Sequence, residues 1–507
     1  RRHPAANGED GPARLRRLIA DANVESLVVV ANREPYEHIR TESGATQVKS
    51  PPSGLVTGVE PLLRACGGTW IAHGSGSADR ENSDREGRVA VPPDAPEYVL
   101  RRLWLTEEEY DGYYLGFANE GLWPLCHIAH TRPTFRSVDW NAYRTVNEKF
   151  ATAIVDEGRA NIVLAQDYHF ALVPRLVRDA APHSAISLFW HIPWPNSEVI
   201  GICPWKKEIL HGMLGADVLG FHTRFHCLNF LETVQRYLEC RVDLATMSVE
   251  YGGERTLVRP YPISVEWPYP AAPREIGESL RRSLGIADDV HVAVGVDRAD
   301  YTKGLLERLD AVEALLEQHP HVRGRFVLVQ LAAPSRTRIK KYRDLLSDVE
   351  EAAQRINRRF GTESWKPVIL QVRGFSRDEV RAHYAMANSA LVTPLHDGMN
   401  LVAKEYVGSC GDADGVLVLS TFAGAAQELE GALIVNPYDA DATASAILHA
   451  LEMPLDERRA RMMSMREQIA KSSIYDWSAK LLRDLADVRT RRDRVWPQEA
   501  ALRKEAG

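Results

Sequence analysis

The feature that most constrains the fold is a short apolar run that recurs along the whole chain without polar alternation. Leu27-Val28-Val29-Val30, inside Ser26–Ala31, is the first example. An uninterrupted β-branched run of this kind fits a strand buried on both faces of a parallel sheet. Similar runs are Thr69–Ala72, Asn161–Ala165, Ala185–Trp190 and Val218–Phe221 in the first half. In the second half they are His291–Val296, Arg325–Leu331, Val368–Val372, Ala390–Thr393, Gly415–Ser420 and Ala432–Val435. Amphipathic patterns such as Leu305–His319 and Arg336–Arg359 fill the gaps. Strands that alternate with helices predict a doubly wound α/β architecture.

The chain has 507 residues, enough for two large domains. Four prolines fall in the thirteen residues from Tyr261 to Pro273, which suits a linker and divides the chain. The predicted organisation is an N-terminal domain over 24–265 and a C-terminal domain over 266–475. A final helix over 476–507 is expected to pack back on the N-terminal domain. Residues 1–23, polar and Arg-rich, read as a disordered extension, and Gly74–Arg88 as a mobile surface loop.

Composition excludes several classes of function. A net charge of −7 argues against general binding of nucleic acid or acidic membranes, so any basic site must be local. The six cysteines are widely spaced with no CxxC pair, which suits buried thiols rather than disulfides or structural zinc. No stretch is apolar and long enough to span a bilayer, and the N-terminal residues lack a secretory pattern. The cytoplasm is the expected compartment, and a homo-oligomer is left open.

Chemistry concentrates at strand ends. Val296-Asp297-Arg298-Ala299-Asp300-Tyr301-Thr302-Lys303-Gly304 follows one apolar run and precedes a helix. Two cations, Arg298 and Lys303, therefore stand at a strand-to-helix turn, a place that attracts anions and suits a diphosphate. Asp397 and Gly398 suit a tight turn before a helix that starts at Leu401. That helix start offers N–H groups to a phosphate, and Glu405 suits a ribose diol. The plainer reading is a capped surface helix with Lys404 and Glu405 solvated. In the first half, Asp167-Tyr168-His169 and His191-Ile192-Pro193 end neighbouring strands, where open α/β sheets bind ligands. Arg33 and Arg336 also follow strands; each reads by default as an ordinary surface arginine, and together they would clamp a second anionic group. Tyr113, Tyr114, Phe117 and Trp123 are either a core edge or a sugar platform. Asp412-x-Asp414 reads as a solvated turn, and no Cys/His pattern offers a metal site.

At these residues the chain resembles the trehalose-6-phosphate synthases, retaining glycosyltransferases of family 20 with a GT-B fold. The resemblance runs from about Leu27 to about Leu485. Its most specific blocks are Asp297–Leu305, Gln330-Leu331-Ala332-Ala333-Pro334-Ser335-Arg336 and Thr393–Val407. Ala31-Asn32-Arg33, Gln166-Asp167-Tyr168-His169 and His191-Ile192-Pro193-Trp194-Pro195 support them.

The resemblance implies two Rossmann-like doubly wound domains facing a cleft that closes over the substrates. It implies transfer of glucose from a nucleoside-diphosphate glucose (UDP-, GDP- or ADP-glucose) to glucose 6-phosphate, with no cofactor and no metal. The implied catalytic set is His191, Asp167, Arg298, Lys303 and Asp397. Donor binding falls to Ser53, Gly54, Arg298, Lys303, Phe375, Asp397, Leu401, Val402, Ala403, Lys404 and Glu405. Acceptor binding falls to Arg33, Tyr114, Asp167 and Arg336, and Trp123 and Ile192 line the space that fixes the anomer. The chain departs from the family pattern at Ser53 (commonly Gly), His73 (commonly Trp) and His396 (commonly Arg). Related enzymes make glucosylglycerol phosphate or join cyclitols. Those are the alternatives, with a sugar-phosphate sensor as the non-enzyme reading.

Overall fold

The computed structural model describes residues 11–21, 24, 26–50, 54–128, 130–158 and 162–505, with side chains to residue 491. Contacts divide the chain into two compact units. Unit 1 comprises residues 1–126, 131–261 and 474–507; unit 2 comprises 127–130 and 262–473.

Unit 1 holds twelve described strands. They are β1 (Leu27–Val30), β2 (Glu37–Arg40), β3 (Thr46–Lys49), β4 (Thr69–His73), β5 (Arg88–Val91) and β6 (Tyr98–Leu103), then β7 (Ile162–Gln166), β8 (Ala185–Phe189), β9 (Val218–Phe221), β10 (Arg241–Asp243), β11 (Ser248–Tyr251) and β12 (Glu254–Pro260). Ten of them form one sheet in the order β10-β11-β12-β9-β8-β7-β1-β4-β6-β5, and β2 and β3 pair as a separate hairpin. From β12 to β6 every pairing is parallel. Antiparallel pairs occur only toward the two edges of this sheet. The all-apolar runs occupy the centre: β1, β7, β8 and β9 are buried at every position.

Unit 2 holds six parallel strands: β13 (His291–Arg298), β14 (Phe326–Ala333), β15 (Val368–Val372), β16 (Ser389–Val392), β17 (Val416–Ser420) and β18 (Leu433–Val435). Their order is β15-β14-β13-β16-β17-β18. In sequence terms this is 3-2-1-4-5-6, the Rossmann order, whose direction reverses between the first and fourth strands. Helices Leu305–Gln318, Lys340–Phe360 and Ala440–Glu452 cover the sheet through Leu309, Val312, Leu315, Val349, Ile356 and Ile447.

Every strand expected from an apolar run is present within a residue or two, whereas β2, β3, β5, β6 and β10 to β12, each with an antiparallel partner, are not in the sequence reading. β6 alternates buried and half-buried positions and carries Arg101 and Arg102. Its charges hid it, because its pairing partners, and not its composition, make it a strand. The N-terminal segment also differs from expectation. Gly11–Asp21 form a helix that packs on helices Gly54–Cys66 and Ile474–Glu505, with Leu15 buried and Arg14 paired to Asp476. Residues 1–10 lie outside the described set. Gly74–Arg88, expected to be a mobile loop, is pinned by a buried aspartate: Asp79 accepts from the backbone N–H groups of His38 (2.7 Å) and Gly76 (2.5 Å).

Candidate active site

In an open α/β sheet, ligands bind outside the carboxyl ends of the strands where the strand order reverses. In unit 2 that point lies between β13 and β16, and both acidic-basic motifs leave the sheet there. β13 runs to Arg298, and the chain then makes a 3-10 turn over Tyr301–Lys303. Gly304 ends the turn with φ +65°, and a Cβ there would stand 2.2 Å from the Thr393 carbonyl oxygen. Only glycine gives both that dihedral and that approach.

Asp300 is the keystone of the turn. It is fully buried, and its Oδ1 accepts from the Thr302 backbone N–H (3.0 Å) and hydroxyl (2.9 Å). Its Oδ2 accepts from Arg336 Nη1 at 3.0 Å. Burial pushes this carboxyl up, but Arg336, Arg298 and Lys303 outweigh burial and hold it below the usual carboxylate range. Three expected site cations therefore gather around one buried anion. Arg336, read from sequence as an acceptor clamp, is also held by the Tyr342 hydroxyl at 2.6 Å, and its side chain is only 4% exposed.

A second ion pair joins the two motifs. Lys303 Nζ donates to Asp397 Oδ2 at 2.5 Å, and Asn400 Nδ2 donates to the same oxygen at 3.1 Å. Burial raises the Asp397 carboxyl; Lys303, with His127 and Asn400, overcomes it and keeps it ionised. His127 belongs to unit 2, and its carbonyl accepts from His396 Nδ1 at 2.7 Å. Beneath the site Arg308, 1% exposed, bonds Thr393 Oγ1 (3.0 Å), Gln330 Oε1 (2.7 Å), the Lys303 carbonyl (3.3 Å) and Asp297. It ties three strand ends together.

The helix after Asp397 starts at Leu401. Asn400 caps it with φ +77° and accepts from the Ala403 N–H at 3.3 Å. Leu401 and Val402 are half-buried in the first turn, and Ala403 is buried. The side chain of Lys404 is held by protein partners rather than solvated. It is 1% exposed, donates to the Ile263 carbonyl at 2.7 Å and pairs with Glu428. The ammonium ties this helix to the chain at Ile263. Nor is Glu405 solvated. It accepts from the Tyr384 hydroxyl at 3.1 Å, and burial pushes its carboxyl up to about 6 despite Arg377 and Arg381. Phe375 is buried with the Arg373 guanidinium 4.1 Å above its ring centre.

Unit 1 repeats the arrangement. Its parallel strands β6-β4-β1-β7-β8-β9-β12 also read 3-2-1-4-5-6 and onward, with the reversal between β1 and β7. Arg33 follows β1, is exposed, and makes no hydrogen bond or ion pair among the described residues. Asp167 follows β7 with φ +78°, a backbone state that costs a non-glycine residue energy and clusters at functional sites. Its Oδ1 accepts from the N–H groups of Tyr168 (2.9 Å) and His191 (3.1 Å). His191 follows β8, and Gln166 Oε1 lies 2.9 Å from its Nε2. Burial alone drives the imidazole down to about 3, so it is neutral at neutral pH. Ile192 and Trp123 are each 5% exposed, and Trp123 lies 5.8 Å from the Tyr168 ring.

Tyr113, Tyr114 and Phe117 belong to one π-helix, Asp111–Leu122. Such segments are uncommon and frequent at functional sites. Tyr114 stacks on His169 (5.6 Å, 12°) and on Tyr110 (5.0 Å), and Tyr110 in turn meets His73 at 5.4 Å. Gly54 is the exposed first residue of helix Gly54–Cys66, while Ser53 lies outside the described residues. The sequence reading gave no role to Asp300, Arg308, His127 or Gln166. Asp300 stood inside the motif already singled out; His127 had no local signal.

The profile of glycosyltransferase family 20 matches residues 25–487. The chain belongs to glycosyltransferase family 20. Over 476 residues it is 39% identical to the trehalose-6-phosphate synthase of Mycobacterium avium, covering 91% of this chain and 95% of that one. It is 36% identical over 496 residues to a bifunctional trehalose-6-phosphate synthase/phosphatase of Thermoproteus tenax, covering 94% of this chain but 65% of that longer one. Among solved structures it is similar to the E. coli protein bound with UDP-2-fluoro glucose, at 33% identity and a TM-score of 0.80. That match covers 91% of this chain and 99% of the other. It is also similar to a UDP-forming α,α-trehalose-phosphate synthase from Burkholderia xenovorans in complex with glucose 6-phosphate, at 32% identity and a TM-score of 0.79. That match again covers 91% and 99%. This family 20 chain thus has the mixed α/β, parallel-sheet fold of the GT-B trehalose-6-phosphate synthases. Among the described residues no three His, Cys, Asp or Glu side chains are grouped to hold a metal, and no helix is long and apolar enough to cross a membrane.

Proposed function

We propose that this family 20 glycosyltransferase moves glucose from UDP-glucose to glucose 6-phosphate, releasing UDP and forming α,α-trehalose 6-phosphate. The observation that carries the reading is the gathering of Arg298, Lys303 and Arg336 around the buried Asp300 at the strand-order reversal of unit 2. The names of the relatives choose the substrates.

In the reaction the bond from the glucose anomeric carbon to the diphosphate breaks, and a bond to the acceptor's anomeric oxygen forms. The acceptor hydroxyl loses its proton, and UDP departs with added negative charge. Fixed cations aimed at that charge lower the barrier, because they need no reorganisation as the bond breaks. Arg298 and Lys303 take this role, helped by the N–H groups of Leu401 and Val402 in the helix's first turn. The Glu405 carboxylate, oriented by Tyr384, receives the ribose hydroxyls, and Phe375 lines the base. Gly54 approaches the donor from its helix start, and Ser53 is assigned beside it. Asp397, kept ionised by Lys303, takes hydroxyls of the transferred glucose.

Arg33, Tyr114 and Arg336 hold the acceptor phosphate, and Asp167 a hydroxyl of the acceptor ring. Holding both reactants in one geometry converts a two-body encounter into a positioned one. Trp123 and Ile192 line the anomeric space, and His191 lies against the glucose. The donor is α-linked and so is the product, so configuration is retained. The leaving phosphate is well placed to take the acceptor proton on the same face. In domain terms, 24–265 binds the acceptor and 266–475 the nucleotide sugar. The cytoplasm is the compartment, a reading supported by six cysteines that are all free thiols.

Following UDP release tests the proposal. Release that requires both UDP-glucose and glucose 6-phosphate supports transfer. Binding of glucose 6-phosphate without any release makes the chain a sensor instead.

A further inference from the structure

Gln166, the last residue of β7, has a place the transfer reaction has not yet used. It is fully buried, and its amide nitrogen has no hydrogen-bond partner. Its register partner in β8 is Phe189, two residues before His191. That register brings its carbonyl oxygen to 2.9 Å from His191 Nε2, while Asp167 fixes the His191 backbone N–H. A buried glutamine that leaves one polar end unsatisfied costs stability. Such a residue at the end of a central strand, directed at the ring of a site histidine, points to a job in that site.

We propose that Gln166 is a positioning residue: its carbonyl accepts the Nε2–H of His191, fixing that tautomer and leaving Nδ1 as the hydrogen-bond acceptor offered to a sugar hydroxyl. The neutral imidazole has one N–H and one lone pair, and the hydrogen bond at one nitrogen decides which the other presents. Because burial holds the ring neutral down to about pH 3, the assignment holds across the working range. Among the described residues the titratable groups facing the ring are Asp167, after β7, and His222, after β9, whose ring centre is 5.4 Å away. Phe189 lies 4.5 Å from the ring, backed by Trp477 of helix Ile474–Glu505. A neutral acceptor rewards a hydroxyl donor at that point of the sugar and penalises a ring that lacks one. The sugar part of this inference rests on the placement of His191 against the transferred glucose; the tautomer part does not.

The test is imidazole 15N NMR of the full chain labelled at histidine, with the His191 signals identified by their loss in His191→Asn. The proton is expected on Nε2 in the wild type and redistributed in Gln166→Leu. Gln166→Leu should lower kcat/KM by on the order of 10-fold or more, the scale of losing a partner that orients a functional imidazole. Gln166→Glu is nearly isosteric and serves as a second variant if leucine impairs folding. Its carboxylate favours the imidazolium, so its pH–rate profile should gain an acid limb that the wild type lacks. A wild-type proton on Nδ1, an unchanged tautomer in Gln166→Leu, or a wild-type pH profile in Gln166→Glu would each overturn the proposal. Full activity in His191→Asn, with the tautomer found as assigned, would instead remove His191 from the sugar site and leave the assignment of the proton standing.

Discussion

At the scale of single residues, the account turns on charges held in place by buried partners. Arg298 is asked to stabilise the departing diphosphate, so Arg298→Ala should reduce kcat by on the order of 10²-fold or more, as when one preorganised charge-stabilising contact is lost. Near wild-type turnover in steady-state assays would remove it from the mechanism. Glu405 gives a second residue-scale prediction. Its carboxyl is raised from 4.5 to about 6 in the folded chain. A raised carboxyl binds its proton more tightly when folded, so its stabilising contribution is complete below 4.5 and is lost as pH rises through about 6. The difference amounts to about 2 kcal/mol. Relative to wild type, Glu405→Gln should therefore gain up to that amount between mildly acidic and neutral pH, read from denaturant midpoints. A constant offset across that range would contradict the assignment. Donor affinity should move the opposite way in the variant, because ribose hydroxyls lose an ionised acceptor.

At the scale of elements, the two sites come from strand order. In both units candidate residues follow the adjacent strands at the reversal, β13 and β16 in one and β1 and β7 in the other, while Arg336 follows β14 and His191 follows β8. The loop after β13 depends on Gly304. Gly304→Ala forces a left-handed side-chain residue against the Thr393 carbonyl and should cost about 2 kcal/mol or more. It should also lower kcat, since Lys303 immediately precedes the glycine; a variant with unchanged melting temperature and turnover would refute that dependence. Much of this scale was legible in the sequence, because β1, β7, β8, β9 and β13 are apolar runs whose burial follows from composition alone. β2, β3, β5 and β6 were not, since Arg40, Lys49, Arg88 and Arg101 are charged positions that pair only in the folded sheet. The helix Gly11–Asp21 was hidden for a similar reason: its partners lie in helix Gly54–Cys66 and in the last helix, far along the chain.

At the scale of the whole molecule, the net charge of −7 conceals a local cation cluster around Asp300, to which the proposal assigns the phosphates. The cations Arg298, Lys303 and Arg336 were visible as motif residues, but their common anchor was not. Asp300 reads as one more acidic turn residue until burial removes its solvent. Lys404 shows the converse: a basic residue in the first turn of a helix reads from sequence as solvated or ligand-binding, and its burial against Ile263 and Glu428 is set by residues far along the chain. His127 reaches unit 2 from a segment flanked by unit 1, and no local pattern marks that. The proposed chemistry has one direct check. UDP-, GDP- and ADP-glucose should each be paired with glucose 6-phosphate and with glycerol 3-phosphate, and the products identified by NMR. The account predicts α,α-trehalose 6-phosphate from UDP-glucose and glucose 6-phosphate as the dominant product, with retained configuration at the transferred glucose. A glucosylglycerol phosphate as the dominant product, or an inverted anomeric centre, would contradict it.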